Sequence, residues 1–391
     1  MTRTRYLIVG GGMTGHAAAA AIREADPGGD IALLGAEPDR PYARPPLTKG
    51  LWLGKPEESV WLPEVPRLEL RTGRRAVALD CVRREVRDDH GDVHGYESLL
   101  LATGGVPRRL PQGGAGGRVV YMRTLADYRR LRGEPGRRAV VIGGGFIGSE
   151  IAASLAANGR EVTMVLPEPA IGARSYPPDL AAYVTRTFRE RGVRVIEGER
   201  VAAVERRGEL DVVRTGGGEV LEADVVVAGL GIRPDTALAE AAGIRCGDGI
   251  EVDSHLETSA PGVFAAGDVA SFPSEPLGER VRVEHEDAAL SMGRTAGLNM
   301  AGARERYDHL PFFYSDLFDL GYEAVGRLDA RLEMVESWTV PFREGTVYYL
   351  DARDRLRGVL LWGTFGKVDA ARTLIARGGE VERARLVAPG P

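Results

Sequence analysis

Short runs of consecutive apolar residues, each running straight into glycine, set the pattern of this chain. Tyr6-Leu7-Ile8-Val9 leads into Gly10-Gly11-Gly12, and Ala139-Val140-Val141-Ile142 leads into Gly143-Gly144-Gly145. Neither run alternates with polar residues, so each predicts a strand covered on both faces, and the alanine-rich stretches at 17–25 and 151–157 predict a helix after each. Similar apolar runs predict strands at 31–35, 98–102, 162–165, 193–196 and 224–228. Another, Val263-Phe264-Ala265-Ala266, ends in the polar turn Gly267-Asp268, and the small residues of 286–300 predict a helix. From about Tyr307 the pattern changes to alternation and tight turns, with strands at 346–350 and 358–362 around a turn at 351–354. A helix over 367–377, stopped by Gly378-Gly379, closes it.

The glycines give the two strand-to-helix passages a chemical meaning. In each, the first glycine (Gly10, Gly143) permits the bend and the second (Gly12, Gly145) admits a pyrophosphate to the backbone. The third (Gly15, Gly148) lets helix pack on strand, and the helix N-terminus faces the phosphate charge. Two such passages imply two nucleotide cofactors, and a flavin paired with a nicotinamide nucleotide implies electron transfer between them. Glu37, at the end of the second strand, is placed to accept hydrogen bonds from ribose hydroxyls, which excludes a 2′-phosphate there. In the second unit Glu168 follows the strand end at Leu166, so NADH is the expected coenzyme. Arg174, close in sequence, leaves NADPH possible.

Composition narrows the class. The 391 residues, 43% apolar, suffice for two or three domains with their own cores. The longest uncharged stretch, 6–22, is broken by the glycine run and too mixed for a membrane span, and it reads as the first fingerprint and not as a secretory leader. A cytoplasmic protein is expected. Cys81 and Cys246 form no C-x-x-C pair, so electrons do not leave through a dithiol. The net charge, 51 minus 56, is −5 and argues against nucleic acid as a partner. Only Lys49, Lys55 and Lys367 are lysines, leaving 48 of the 51 basic residues as arginine. His90 and His94 stand beside Asp88, Asp89 and Asp92, but Asp89-His90-Gly91-Asp92 reads as a hairpin turn, and a solvated loop without metal is expected.

The segments divide as 1–111 with 236–307, then 112–235, then 308–391, with a Pro- and Gly-rich crossover at 107–117. Several of their motifs, Pro41-Tyr42-Ala43-Arg44-Pro45-Pro46-Leu47-Thr48-Lys49, Ala102-Thr103-Gly104, the two glycine fingerprints through Glu150, and 263–268, make the chain resemble the FAD-dependent, NAD(P)H-using ferredoxin reductases of oxygenase systems. Residues 283–288 and 312–326 are most similar to the apoptosis-inducing factor branch. The resemblance implies an α/β fold: two Rossmann-like three-layer nucleotide-binding domains, the FAD domain discontinuous (1–111 and 236–307), the NAD(P)H domain at 112–235, and a C-terminal α+β interface domain at 308–391.

It also implies roles. Arg44-Pro45-Pro46 forms a rigid turn that aims Lys49, and Lys49 pairs with Glu150 near flavin N5. FAD is held by the first fingerprint, Glu37, Arg44, Ala102, Thr103, Gly104, Gly267 and Asp268, with Arg108 on the diphosphate side. Phe146, Ile147, Glu168 and Gly231 join the second fingerprint around the coenzyme. Glu284 and His285 line the nicotinamide pocket, and Tyr314 closes another side where relatives carry Trp. The implied reaction is hydride transfer from NADH to FAD, then electron release to a ferredoxin-type iron-sulfur protein. Alternatives are a quinone or O2 as acceptor, or a redox-responsive NADH- and FAD-binding protein. Oligomeric state is left open.

Overall fold

In the computed structural model, which describes residues 2–110 and 117–387, the run ending at Val9 is the strand Thr2–Val9, with Leu7 and Ile8 fully buried. The chain divides into two compact units. The first comprises Met1–Arg44, Glu57–Val106 and Arg233–Phe312; the second comprises Pro45–Pro56, Pro107–Ile232 and Phe313–Pro391. The expected boundary at 111/112 lies outside the described residues.

The first unit is built on parallel strands in the order Leu68–Arg71, Ile31–Leu34, Thr2–Val9 and Val93–Leu101, with Val263–Ala265 also paired to the last. Ile8 stands level with Leu33 on one side and Leu100 on the other, and Leu100 in turn with Phe264. These are the residues without polar alternation, and both faces of the sheet are covered. The N-terminal part of Val93–Leu101 also pairs with an antiparallel hairpin, Ala76–Asp80 and Glu85–Asp88.

Helix Met13–Ala25 begins directly after Gly12, four residues earlier than the alanine run suggests. It lies against helix Glu286–Met300 so closely that a Cβ on Gly293 would stand 2.4 Å from the Thr14 carbonyl oxygen, and one on Gly297 2.4 Å from that of Ala18. The small residues of the second helix are therefore a backbone contact surface.

His94 departs from expectation. It sits in the strand, buried, and not in a solvated loop. Its Nε2 meets Asp88 Oδ2 at 3.1 Å and its Nδ1 meets Arg71 at 2.9 Å. Desolvation would raise the Asp88 pKa, but bonds from His94, from the Asp92 and His90 amides and from Arg74 hold it down at about 2. Asp88 thus needs its histidine as a partner, which turn propensity alone does not reveal. His90 stays exposed in the turn.

The second unit carries a parallel sheet ordered Arg194–Ile196, Glu161–Val165, Arg138–Ile142, Val225–Ala228 and Val119–Tyr121. Helix Phe146–Ala157 again starts at the first residue after the glycines. Two helices are not evident from the apolar runs. Leu125–Gly133 opens with a capping box between Thr124 and Asp127, and Pro178–Glu190 starts on a proline. A three-stranded antiparallel sheet, Val201–Arg207, Leu210–Thr215 and Val220–Ala223, packs against the parallel sheet.

The C-terminal strands form an antiparallel sheet ordered Phe312–Leu317, Leu320–Gly326, Leu356–Trp362, Glu344–Leu350 and Glu333–Val340. The expected closing helix is Val368–Ala376, followed by Gly378 and Gly379 with φ of 59° and 77°.

Candidate functional site

The two glycine passages have matching stereochemistry. Gly10 has φ 124° and a Cβ there would meet the Ala102 carbonyl oxygen at 2.1 Å; Gly143 has φ 106° and would meet that of Gly229 at 2.5 Å. Gly15 and Gly148 each sit so close to the first glycine of their own passage that a Cβ would fall 2.1 Å from its carbonyl oxygen. Only glycine fits at these four positions.

The middle glycines differ in kind. A Cβ on Gly12 would find only Arg44 Nη2, at 4.0 Å, and one on Gly145 would find nothing within 4 Å. Both are helix N-caps without a side-chain cap, so the first amides of each helix lack the partner a capping side chain would give. Such cradles fit the diphosphate of a dinucleotide.

Around the first cradle the unit assembles Glu37, Tyr42, Arg44, Asp268 and His285. Arg44 Nη2 reaches Glu37 Oε1 at 2.6 Å, Tyr42 donates its hydroxyl to Glu37 Oε2, and the guanidinium stacks on the Tyr42 ring at 5.2 Å. Both Glu37 oxygens thus carry protein bonds, and each keeps a lone pair for a ribose hydroxyl. Asp268 lies in the turn Gly267–Val269 and acts electrostatically on both Arg44 and His285. Gly267, with φ 77°, leaves no room for a Cβ beside Thr14 Oγ1. Ala102 is buried and Gly104 has φ 67°, while Thr103 Oγ1 donates to the Asp235 carbonyl at 2.7 Å.

His285 is the N-cap of helix Glu286–Met300. Desolvation pushes its pKa down to about 4, more than Asp268 and Asp287 pull it up, so the ring is neutral at pH 7.

Arg282 is a member of this cluster that residue-type reasoning passes over. Its side chain is 9% exposed; Nη1 donates to the Asp268 carbonyl at 3.1 Å and to Glu284 Oε1 at 2.7 Å, and Nε donates to Asp248 at 3.0 Å. It ties the Asp268 turn to the segment carrying Glu284 and His285. An arginine two residues before a glutamate, just past a short strand, is the signal in the sequence.

In the second unit Lys49, Glu150 and Tyr314 come together. The turn Pro45–Leu47 delivers Lys49, whose Nζ lies 3.1 Å from Glu150 Oε1, 3.2 Å from the Tyr314 carbonyl oxygen and 4.0 Å above the Tyr314 ring. Glu150 stands one turn into its helix, and two hydroxyls absent from the sequence-based set complete its shell. Thr48 Oγ1 donates to Oε2 and Ser315 Oγ to Oε1, both at 2.6 Å. Ser315 could be found from strand alternation, because an exposed Tyr314 and Asp316 turn the residue between them inward.

Phe146 packs on Phe313 at 5.2 Å, and Ile147 is half-buried on the same turn. Glu168 is bound by Arg174 at 2.5 Å. Arg108 is fixed within this unit, its amide on the Gly231 carbonyl and its Nε on that of Ile232. It therefore supports the Gly231 turn.

Comparison with known proteins adds the following. The family model for pyridine nucleotide-disulphide oxidoreductases matches residues 4–293, and that for the C-terminal part of apoptosis-inducing factor matches 296–342. The ferredoxin–NAD(+) reductase component of the Burkholderia cepacia anthranilate 1,2-dioxygenase system is 34% identical, over 100% of this chain and 98% of its own. Peroxisomal monodehydroascorbate reductase 4 of Arabidopsis thaliana is 36% identical, over 82% of this chain and 72% of its own. The crystal structure of a covalent putidaredoxin reductase–putidaredoxin complex superposes with a TM-score of 0.90 at 30% identity, covering 99% of this chain and 96% of that one.

Proposed function

From the premise that this chain belongs to the pyridine nucleotide-disulphide oxidoreductase family and is an FAD- and NAD(P)H-dependent oxidoreductase, we propose that it carries electrons from NADH to a ferredoxin-type iron-sulfur protein. The observation that carries this reading is the presence of two open glycine cradles in one chain that matches an oxygenase-system ferredoxin reductase from end to end. We assign FAD to 1–111 with 236–307, the nicotinamide nucleotide to 112–235, and the α+β interface domain to 308–391. FAD held there would supply two-electron acceptance and one-electron release, chemistry no side chain of the protein supplies.

The residues bind, orient and exclude water. Arg44 and the amides after Gly12 neutralise the FAD diphosphate, and Asp268 and Glu37 accept from its polyol and ribose hydroxyls. The amides after Gly145 receive the coenzyme diphosphate, and Glu168 selects for the unphosphorylated ribose of NADH. Lys49, desolvated and paired, presents a fixed positive charge, and neutral His285 adds bulk without charge. A surface whose cations are nearly all arginine suits an acidic protein partner. Among the described residues no helix is long and apolar enough to cross a membrane, and we assign the protein to the cytoplasm.

Anaerobic NADH should bleach the flavin of the purified protein, and ferredoxin should reoxidise it faster than quinone or air. Reoxidation by a small molecule alone would move the assignment to the second reading, which the identity to monodehydroascorbate reductase favours. A long-lived reduced complex indifferent to every acceptor would sink both.

A further inference from the structure

Residues 166–177, between strand Glu161–Val165 and helix Pro178–Glu190, contain neither helix nor strand, so their backbone groups must find partners elsewhere. Some partners belong to the loops of the parallel sheet. The Gly198 amide donates to the Glu168 carbonyl at 3.1 Å, and the Gly172 amide donates at 3.0 Å to the carbonyl of Gly144, inside the second glycine passage. Others come from the C-terminal sheet and its turns. Tyr349 Oη donates to the Ser175 carbonyl at 2.6 Å, and the Ala330 amide donates to the Arg174 carbonyl at 2.9 Å.

The stretch from Gly172 to Tyr176 closes on itself. The Ser175 and Tyr176 amides both donate to the Gly172 carbonyl, at 2.8 and 2.9 Å, and Gly172 has φ 73° with its Cα so near the Tyr176 ring that a Cβ would stand 2.1 Å from it. That ring is buried. It meets Tyr322 and Trp362 edge-on at 5.8 and 5.5 Å, and those two stack on each other at 5.4 Å. The turn therefore binds the glycine passage through an amide and the C-terminal sheet through two carbonyls and an aromatic ring. All of these residues belong to one compact unit.

We infer that Tyr349 and Ala330 are positioning residues of the coenzyme site: they hold the turn 172–176, which in turn holds the Gly144 bend and, through Arg174, the Glu168 carboxylate. The inference rests on the reading of 112–235 as the unit that binds the nicotinamide nucleotide. Tyr349 is fully buried and acts through the turn. A binding loop fixed in advance loses less freedom when its ligand arrives, so the contribution of these two donors is to affinity. With the hydroxyl gone, the Ser175 carbonyl loses the bond that fixes it, and the turn must be ordered at the moment of binding. The C-terminal sheet thereby reaches the adenosine end of the coenzyme.

The test uses flavin-loaded protein carrying Y349F, which deletes one oxygen, or A330P, which deletes one amide at the second position of the turn from Asp329 to Leu332, where proline is accommodated. Calorimetric titration with ADP-ribose, which has the adenosine and diphosphate but no nicotinamide, should show affinity lowered roughly threefold to tenfold in each. NAD+ should weaken by the same factor. In rapid mixing with NADH without oxygen, the half-saturating concentration should rise by that factor while the limiting rate of flavin reduction keeps its wild-type value. Y348F, on the opposite face of the same strand, should match the wild type throughout.

Wild-type affinity for ADP-ribose in Y349F would overturn the inference. So would an equal loss in Y348F, which would mark a general loosening of the strand, or a slower limiting rate at unchanged half-saturation. Y349F keeps the ring and its packing, so its result decides even if A330P does not fold. A wild-type protein that binds no ADP-ribose would remove the coenzyme reading itself, and bleaching of its flavin by NADH reports separately on the flavoenzyme reading.

Discussion

The two fingerprint units use the same bend and diverge two residues after the last glycine, where the first has Ala17 and the second Glu150. In the first unit that helix turn is used for packing. A Cβ on Gly293 would lie 3.0 Å from the Ala17 methyl, so nothing larger than alanine faces nothing larger than glycine. In the second unit the same position carries a carboxylate bound to Thr48, Lys49 and Ser315. One scaffold thus closes on itself in one copy and opens to chemistry in the other. Glycine spacing reports the shared part, and a single side chain reports the difference.

The comparison breaks most severely at the bends. G10A places a methyl 2.1 Å from a carbonyl oxygen at φ 124°, and G143A places one 2.5 Å away at φ 106°. Each should cost about 3 kcal/mol or more by denaturant titration, with G10A also losing flavin during purification. Next is Arg282, which binds Asp268 and Glu284 in the first unit only. R282M should weaken FAD binding roughly tenfold to a hundredfold, read from flavin release, with the second unit's coenzyme affinity unaffected.

A smaller effect separates two groups of the first unit by pH. His285 titrates at about 4 when folded against an ordinary 6.5, so the unfolded chain takes up the proton first. Its contribution is complete above about pH 6.5 and lost as pH falls toward 4. Asp88, held at about 2, acts in the same direction at lower pH, losing its contribution only as pH falls below the ordinary 3.8. H285N should therefore flatten the decline in denaturant midpoint between pH 6.5 and 4. The smallest effect concerns Arg174, mostly exposed although paired with Glu168. R174A should lower NADPH use relative to NADH by about threefold in kcat/KM, since an exposed ion pair contributes little.

Much of the parallel scaffold is legible in the sequence because buried strands and glycine bends are local signals. The strand ending at Val9, that ending at Ile142 and the helix Glu286–Met300 follow from runs of neighbouring residues. Helix Pro178–Glu190 and the antiparallel strands 201–223 escape because their apolar runs, Leu180 to Val184 and Val201 to Val204, do not lead into a glycine bend, the local signal that marks the parallel strands. The pairing of Lys49 with Glu150 is implied by resemblance and shown by distance; Thr48 becomes visible only through a partner far away in the chain, while strand alternation could have marked Ser315 and the nearby Glu284 could have marked Arg282. His94 teaches the same lesson in reverse, since its turn-like neighbours hide a buried acid that requires it.

The scarcity of lysine gives the pair beneath Tyr314 a practical consequence. With primary amines on only three side chains, an acylating reagent meets Lys55 and Lys367 in the open and Lys49 behind an aromatic lid. The mass gained at that one position over time is then a clock for how often the lid lifts.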